Sequence, residues 1–367
     1  MMIHSKIKSY SCEVMDNLLR RREDVFAGLS FPRRFYFIDG KFFRLYENSL
    51  RKFIGSDDFL IIEADENHKS YLKLADYYQS LIESGFTRND CLVTFGGGIL
   101  QDISGFIAST LYRGIPWVYI PTTLLAQADS CIGSKTSINF GQSKNLIGTF
   151  YPPDRIFIDL AFTKTLSRAD FNSGLGEIIK FHLLSDAEGF GCLQSYLASD
   201  LREGNLFPGI IRSTLEIKKS YFEADEFDTG RRNLLNYGHC FGHALESASD
   251  FSISHGEAVI VGMGFANLAA LRRGIMNPVV YQAIESILAR FYPSFDLRSV
   301  TADQIITFMR RDKKRSGKDL TMIMAREVGQ AGKYQDVTEK EIHSVFEEFL
   351  PVYETVRRQH KETVARV

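Results

Sequence analysis

The stretch that most restricts the fold is DCLVTFGGGILQDISGFIASTLYRGIPWVYIPTT, from Asp90 to Thr123. A short apolar run enters three glycines, a segment with helical spacing follows, and a second apolar run begins after Gly114. Strand, helix and strand in that order require a crossover, so the two strands lie parallel and the helix covers their sheet. RFYFIDG and DFLIIEAD add two more short strands, SYLKLADYYQSLIESG a helix stopped by a glycine, and DRIFIDL a further strand. After about residue 165 the pattern changes. GLGEIIKFHLL, FPGIIRSTLEIKKSYF, LLNYGHCFGHALESAS, GEAVIVGMGFANLAALRRG, PVVYQAIESILARFY and TADQIITFMRRDKK all repeat at the helical period. The prediction is an α/β domain over 1–165 and an all-helical domain over 166–367, a division the length of 367 residues also favours. The charged end YETVRRQHKETVARV reads as a solvated helix terminus.

Lys and Arg number 44 against 45 Asp and Glu, for a net charge of -1. No basic stripe marks a nucleic-acid or anionic-membrane partner. The longest apolar run, AVIVGMGFANLAAL, is too short and too interrupted to span a bilayer. The five cysteines form no CxxC pair, and the first residues lack an apolar signal core. These features point to a soluble cytoplasmic enzyme.

Gly96, Gly97 and Gly98 stand where a strand meets a helix. Backbone there can approach a phosphate, and the helix start offers unpaired N–H groups. The spacing is neither GxGxxG nor GxxxxGK[ST], so a plain tight turn fits equally well. Three of the eight histidines fall in NLLNYGHCFGHALESASDFSISHGEAV. His239 and His243, four apart on a helix, share a face, and Cys240 turns about 100° away. The pair could build a zinc site, with His255 as a further ligand. It is not HExxH, which disfavours a zinc protease. Glu177 and Lys180 project from one face of an apolar helix, as either a surface pair or a site. Each residue alone is more often structural than functional. Three imidazoles, an inward carboxylate and a glycine loop together favour a metal-dependent nucleotide enzyme.

Those segments, in order, resemble the 3-dehydroquinate synthase family, the sugar phosphate cyclases. The resemblance rests on GGGILQDISGFIASTLYRGIPWVYIPTTLLAQADSCIGSKTSINF, KNLIGTFYPP, GLGEIIK, RNLLNYGHCFGHALE, SHGEAV and MRRDKK, from about residue 34 to 345. It implies a Rossmann-like NAD-binding domain, a helical metal- and substrate-binding domain, a cleft between them, bound NAD, one zinc or cobalt ion, and a homodimer. The family's metal ligands fall on Glu177, His239 and His255; His243 then contacts substrate rather than metal. Other substrate positions fall on Asp129, Lys135, Lys180, Lys218, Arg232, Asn236 and Lys313, with Lys314 as the alternative to the last. Arg113 matches a phosphate-binding arginine that can cross a dimer interface. The NAD positions are Asp39, Glu66, Lys69, Gly97, Gly98, Asp102, Thr122, Thr123, Lys144, Asn145 and Thr165.

The implied reaction oxidises a secondary alcohol of a seven-carbon sugar phosphate, eliminates phosphate, returns the hydride, opens the ring and closes a carbocycle by an aldol step. A Lewis acid suits the developing alkoxide, and Lys135, Lys180, Lys218, Arg113 and Arg232 suit an anionic substrate. The chain departs from typical dehydroquinate synthases at Gln101 and Ser134, where glycines stand, at GLGE for GLAE, at Asp65 in DENHK, and at YGHCFGH. Retention of Lys218, Asn236 and His243 favours 3-deoxy-arabino-heptulosonate 7-phosphate as substrate. Gln101 and Ser134 favour another cyclase, making a cyclitol for secondary metabolism or surface polysaccharide. A metal-dependent polyol-phosphate dehydrogenase and an inactive binding protein are the readings from other classes.

Overall fold

The computed structural model describes residues 1–141, 143–202, 204–310 and 320–365, with side chains to 359. It falls into two compact units: Met1–Ser167 with Lys218–Phe227, and Arg168–Ile217 with Asp228–Val367.

The first unit is built on a seven-stranded sheet. Its strands are β1 (Met2–Ile3), β2 (Tyr10–Val14), β3 (Arg34–Asp39), β4 (Asp58–Ile62), β5 (Cys91–Gly96), β6 (Trp117–Pro121) and a last one at Arg155–Ile158. A small hairpin of β7 (Ile138–Phe140) and β8 (Ser143–Ile147) precedes that last strand, β9. The sheet order is β1-β2-β9-β6-β5-β3-β4. Only the β1–β2 pairing is antiparallel; the other pairings in this sheet are parallel. Every residue of β5 and β6 is buried, as expected for strands covered on both faces. Around the sheet lie α1 (Arg22–Phe26), α2 (Gly40–Ile54), α3 (Leu74–Glu83) and α4 (Gly98–Thr110). The strand order reverses between β3 and β5, so the carboxyl ends of these strands form the switch point where doubly wound sheets bind ligands. Asp39 ends β3 there and Gly96 ends β5.

Helix α2 went unread in the sequence. Its apolar residues Phe42, Phe43, Leu50, Phe53 and Ile54 are buried, and Asp39 caps it by accepting from Phe42 N at 2.9 Å. Phe42, Phe53 and Phe95 pack as an aromatic group beneath the sheet.

The second unit holds α5 (Arg168–Leu183), α6 (Ala187–Leu197), the first part of α7 (Phe207–Ala224), α8 (His239–Ala248), α9 (His255–Arg272), α10 (Pro278–Leu288), α11 (Ala302–Arg310) and α12 (Glu339–Ala365). α9 is apolar all round and runs through the centre, buried from Gly256 to Ala270 except at Glu257.

Three expectations need correction. Strands do not stop after residue 165: β10 (Leu320–Glu327) and β11 (Gln330–Val337) form an antiparallel hairpin. LTMIMA is a largely buried run without helical period, Arg326 and Glu327 are exposed at its end, and Gly329 turns it with φ 77°. Lys218–Phe227 groups with the sheet unit rather than with the helices. There Glu226 accepts from Ser5 Oγ at 2.7 Å and Lys6 N at 2.6 Å, Glu223 accepts from His4 N at 2.7 Å, and Phe222 meets Tyr10 edge-on. A helical spacing that runs unbroken through α7 gives no sign of that change. Finally, the charged C-terminal helix is not simply solvated: Tyr353, Glu354 and Arg357 are buried, with Arg357 Nη2 2.6 Å from Glu354 Oε2.

Candidate active site

In the helical unit the site follows from close helix crossings. At Gly256 a Cβ would lie 1.8 Å from Ser173 O, and at Gly176 one would lie 2.3 Å from Gly256 O. Only glycine lets α5 and α9 touch this closely, and the contact carries Glu177 and His255, the neighbours of those two glycines, together. α8 crosses α9 in the same manner: a Cβ on Gly262 would fall 2.0 Å from Gly238 O. Gly238 takes φ 79° and starts α8 at His239.

Glu177 Oε1 lies 3.4 Å from His239 Nε2 and 3.3 Å from His255 Nε2, while Oε2 pairs with Lys180 Nζ. Glu177 is wholly buried, and neither of its oxygens accepts a hydrogen bond of good geometry. The outer ring nitrogens are tied back. His239 Nδ1 is 3.2 Å from Tyr237 O, and His255 Nδ1 is 3.1 Å from Glu246 Oε2. Each Nδ1 is therefore held by an acceptor, and each Nε2 is directed at Glu177. His243, the most exposed of the three imidazoles, has its ring 5.1 Å from His239 and 5.5 Å from His255. One ligand atom from each of the three histidines lies within 4.8 Å of the others.

The electrostatics favour positive charge here. Burial opposes the charged form of His255, but Glu177 and Glu246 outweigh it and lift the imidazole to about 10. Burial would raise Glu177, yet Lys180 and His239 hold it well below the usual carboxylate range. Burial and Lys180 push His239 down. A buried carboxylate without well-formed hydrogen bonds, facing two imidazole Nε2 atoms whose Nδ1 atoms are tied back, fits a divalent ion of the zinc type, which would displace the proton that His255 otherwise carries. Glu177, His239 and His255 would hold it, with His243 in reach.

Lys180 is buried and its Nζ sits 4.6 Å over the Phe181 ring. Arg232 is buried in the turn Arg231–Asn236, where Asn236 Nδ2 donates to Asn233 O at 2.9 Å. Beside the histidines a pocket is lined by Asn233, Asn236, His239, Cys240 and His243 on one side and Met309, Leu320, Thr321, Ile323 and Lys333 on the other. Sequence reasoning missed Glu246, which the helical period places on the face of His239 and His243. It also missed Thr321 and Lys333, which lie on the hairpin that helical spacing did not reveal. Lys313 and Lys314 lie outside the described residues.

In the sheet unit, Lys69 Nζ donates to Asp102 Oδ2 at 2.6 Å and Asn145 Oδ1 at 2.7 Å. Ser137 Oγ lies 2.9 Å from each of the same two oxygens. Lys144 Nζ is 3.3 Å from Glu66 Oε1. Glu66, Lys69, Asp102, Lys144 and Asn145, up to 79 positions apart, thus form one network. Burial raises Asp102, against the pull of Lys69 and Ser137. Gly97 caps α4, and a Cβ there would meet Thr123 Cγ2 at 3.1 Å; Gly98 opens the helix and Thr122 N donates to Gly96 O at 3.0 Å. Asp39 is spent as the cap of α2, and burial raises it. Thr165 Oγ1 donates to Phe162 O at 3.1 Å.

Asp129 lies in a π-turn, Ala126–Ser130, and pairs with Lys218. Lys135 is exposed. Arg113 is exposed in a left-handed pair with Tyr112, φ 65° and 51°. Gln101 and Ser130 bond reciprocally, Nε2 to O and Oγ to Oε1, both at 2.6 Å. The Ser134 hydroxyl is buried with no hydrogen-bond partner among the described residues.

Family models for the 3-dehydroquinate synthase N-terminal and C-terminal regions match residues 59–173 and 174–315. The chain belongs to the 3-dehydroquinate synthase family. A 3-dehydroquinate synthase of Dehalococcoides mccartyi (strain CBDB1) is 37% identical over 310 residues, covering 83% of this chain and 86% of that protein. Among solved structures, 2-epi-5-epi-valiolone synthase from Streptomyces hygroscopicus subsp. jinggangensis 5008, with NAD+ and Zn2+ bound, aligns with a TM-score of 0.84 at 28% identity, over 94% of this chain and 98% of that one. A 2-deoxy-scyllo-inosose synthase complexed with carbaglucose-6-phosphate, NAD+ and Co2+ aligns with a TM-score of 0.85 at 24% identity, over 95% and 99%, and shares the fold. Among the described residues no helix is long and apolar enough to cross a membrane.

Proposed function

We propose that this chain is a 3-dehydroquinate synthase, a phosphate-eliminating lyase converting 3-deoxy-arabino-heptulosonate 7-phosphate to 3-dehydroquinate with NAD and a zinc or cobalt ion. On this reading it serves aromatic amino acid biosynthesis by the shikimate pathway in the cytoplasm, as a homodimer. The single observation that carries the reading is the cluster of Glu177, His239 and His255, with both Nδ1 protons tied back and both Nε2 atoms facing one buried carboxylate. An ion held there supplies a Lewis acid that polarises the substrate hydroxyl undergoing oxidation.

The protein's own groups do the rest. Lys180, buried against Glu177, supplies a cation to an anionic substrate without a hydration shell. Arg232 offers a bidentate donor pair for an oxyanion. Asn236 and His243, on the pocket wall, can bond substrate hydroxyls. In the sheet unit Asp129 and Lys218 hold each other, so Lys218 is oriented before substrate arrives. The glycines at the carboxyl end of β5 leave room for a pyrophosphate at the start of α4.

A second reading, another cyclase of the family, is supported by Ser134 and Gln101. Ser134 adds a buried, unbonded hydroxyl next to Lys135, and Gln101 fills a glycine position with a bonded side chain. The test offers the metal-loaded protein, with NAD, 3-deoxy-arabino-heptulosonate 7-phosphate, sedoheptulose 7-phosphate and glucose 6-phosphate in parallel. Phosphate release and 3-dehydroquinate from the first alone supports the synthase. Release from another substrate alone supports the second reading. Net NADH accumulation would replace both with a dehydrogenase.

A further inference from the structure

Asn139 is absent from the positions that the family resemblance assigns to NAD, yet it hydrogen-bonds three of them, Glu66, Lys69 and Asn145. It ends neither a strand nor a helix, lying in the middle of β7, and is 7% exposed. Its Nδ2 donates to Glu66 Oε2 at 2.7 Å and to Glu66 O at 3.2 Å. Its Oδ1 accepts from Asn145 N at 2.9 Å. Its own N–H donates to Lys69 O at 3.0 Å. The amide has one workable orientation, because the carboxylate needs the NH2 and the backbone N–H needs the carbonyl.

The position matters for two reasons. Glu66 stands in the segment after β4, and its other oxygen meets Lys144, so Asn139 decides which way the carboxylate faces. Asn145 is held at φ 53°, a left-handed conformation that needs support in a residue with a Cβ. The bond from its N–H to Asn139 provides that support, and it sets the Asn145 amide where Lys69 and Ser137 reach it.

We propose that Asn139 is the positioning residue of the dinucleotide site, orienting Glu66 and Asn145 together through a single side-chain amide. The inference rests on the reading of this unit as the NAD-binding half. Asn139 need not touch the cofactor. Its removal weakens cofactor binding by misorienting groups that do.

The test uses the full-length, metal-loaded protein and measures NAD affinity by isothermal titration calorimetry. Asn139→Asp keeps the acceptor for Asn145 N–H but turns an oxygen toward Glu66 Oε2, setting two carboxylates face to face. NAD dissociation constant is expected to rise about 10-fold or more, with turnover at saturating NAD reduced far less. Combining it with Glu66→Gln restores a donor opposite the new carboxylate, and the double variant is expected to bind NAD more tightly than N139D alone. Asn139→Ser, which removes both arms without adding charge, serves if N139D does not fold, and is also expected to weaken NAD by about 10-fold. Tight binding by wild type that persists in N139D or N139S overturns the role of Asn139. Glu66→Gln alone measures any direct loss at that carboxylate, and a double variant that stays as weak as N139D while E66Q alone binds NAD more tightly also overturns it. Failure of the wild type to bind NAD would instead overturn the nucleotide reading of the unit.

Discussion

The helical unit and the sheet unit each gather charged side chains, but they leave them in different states. Around Glu177 the nearest polar atoms are the Lys180 ammonium and the Nε2 atoms of His239 and His255, and the carboxylate accepts no well-formed hydrogen bond. Around Asp102 a half-buried carboxylate accepts from Lys69 and Ser137, and the network closes on Asn145. A satisfied network is a scaffold whose geometry is its product. A buried carboxylate that has an ion pair with Lys180 but no well-formed hydrogen bond, faced by two imidazole nitrogens, is left able to take an ion. On the proposed function, the contrast separates a preorganised surface for an organic cofactor from a socket for an ion.

The largest expected effect tests the socket. Glu177→Gln removes the charge that draws in the ion. Bound metal, measured by mass spectrometry after dialysis, is expected to vanish, with activity lower by at least about 1,000-fold. Retention of stoichiometric metal in E177Q would show that the three histidines suffice. Next in size is Glu246→Gln, which keeps a hydrogen bond to His255 Nδ1 but gives up the charge behind it. Chelator competition is expected to show metal affinity down about 10- to 100-fold, with fold and NAD affinity unchanged. The corresponding break in the sheet unit is Lys69→Met, which strands Asp102. The expected cost is about 3 kcal/mol of stability by urea denaturation, with weaker NAD binding and unchanged metal content. Loss of metal in K69M would erase the distinction between the two regions.

The alternation from Asp90 to Thr123 was enough to place the parallel sheet and its glycine turn, because period and turn chemistry are local properties. The helical character around Glu177 and His239 was equally plain. What one chain could not reveal was contact across long separations. Spacing put His239 and His243 on one face, but the crossings at Gly176 with Gly256 and at Gly238 with Gly262 are what bring Glu177, His255 and His239 together. Asn139 sits 73 positions from the Glu66 it orients, in a short hairpin whose strands carry no strong alternation. The hairpin β10–β11 escaped for a related reason: a buried Met- and Ile-rich run looks alike as strand or helix until its turn is recognised. α2 is a different case, since its buried aromatic face follows the helical period and was available to be read.

The smallest effect sharpens the comparison inside the helical unit, through a histidine that is not part of the socket. His182 is wholly buried, with Nδ1 2.8 Å from Gly189 O and Nε2 3.1 Å from Thr214 Oγ1. Both nitrogens are spent on neutral partners, whereas His239 and His255 each keep Nε2 directed at Glu177. Burial lowers His182 from its ordinary value of 6.5. The unfolded chain therefore takes up a proton as pH falls below 6.5 that the folded chain does not. The stability His182 contributes is complete above that value and is lost as pH drops toward its folded value, at no more than about 1.4 kcal/mol per pH unit. His255, lifted to about 10, has the opposite sign, so the useful quantity is the difference between wild type and His182→Gln. The glutamine NH2 can donate to Gly189 O or to Thr214 Oγ1, whose own hydrogen goes to Ile210 O, but it cannot titrate. Urea denaturation at about pH 7.5 and about pH 5.5 is expected to show wild type losing about 1 kcal/mol more than H182Q over that interval, while metal affinity at the higher pH stays the same in both. A change in metal affinity in H182Q would mean that this histidine supports the socket after all, and the line between spent and available imidazoles would have to be redrawn.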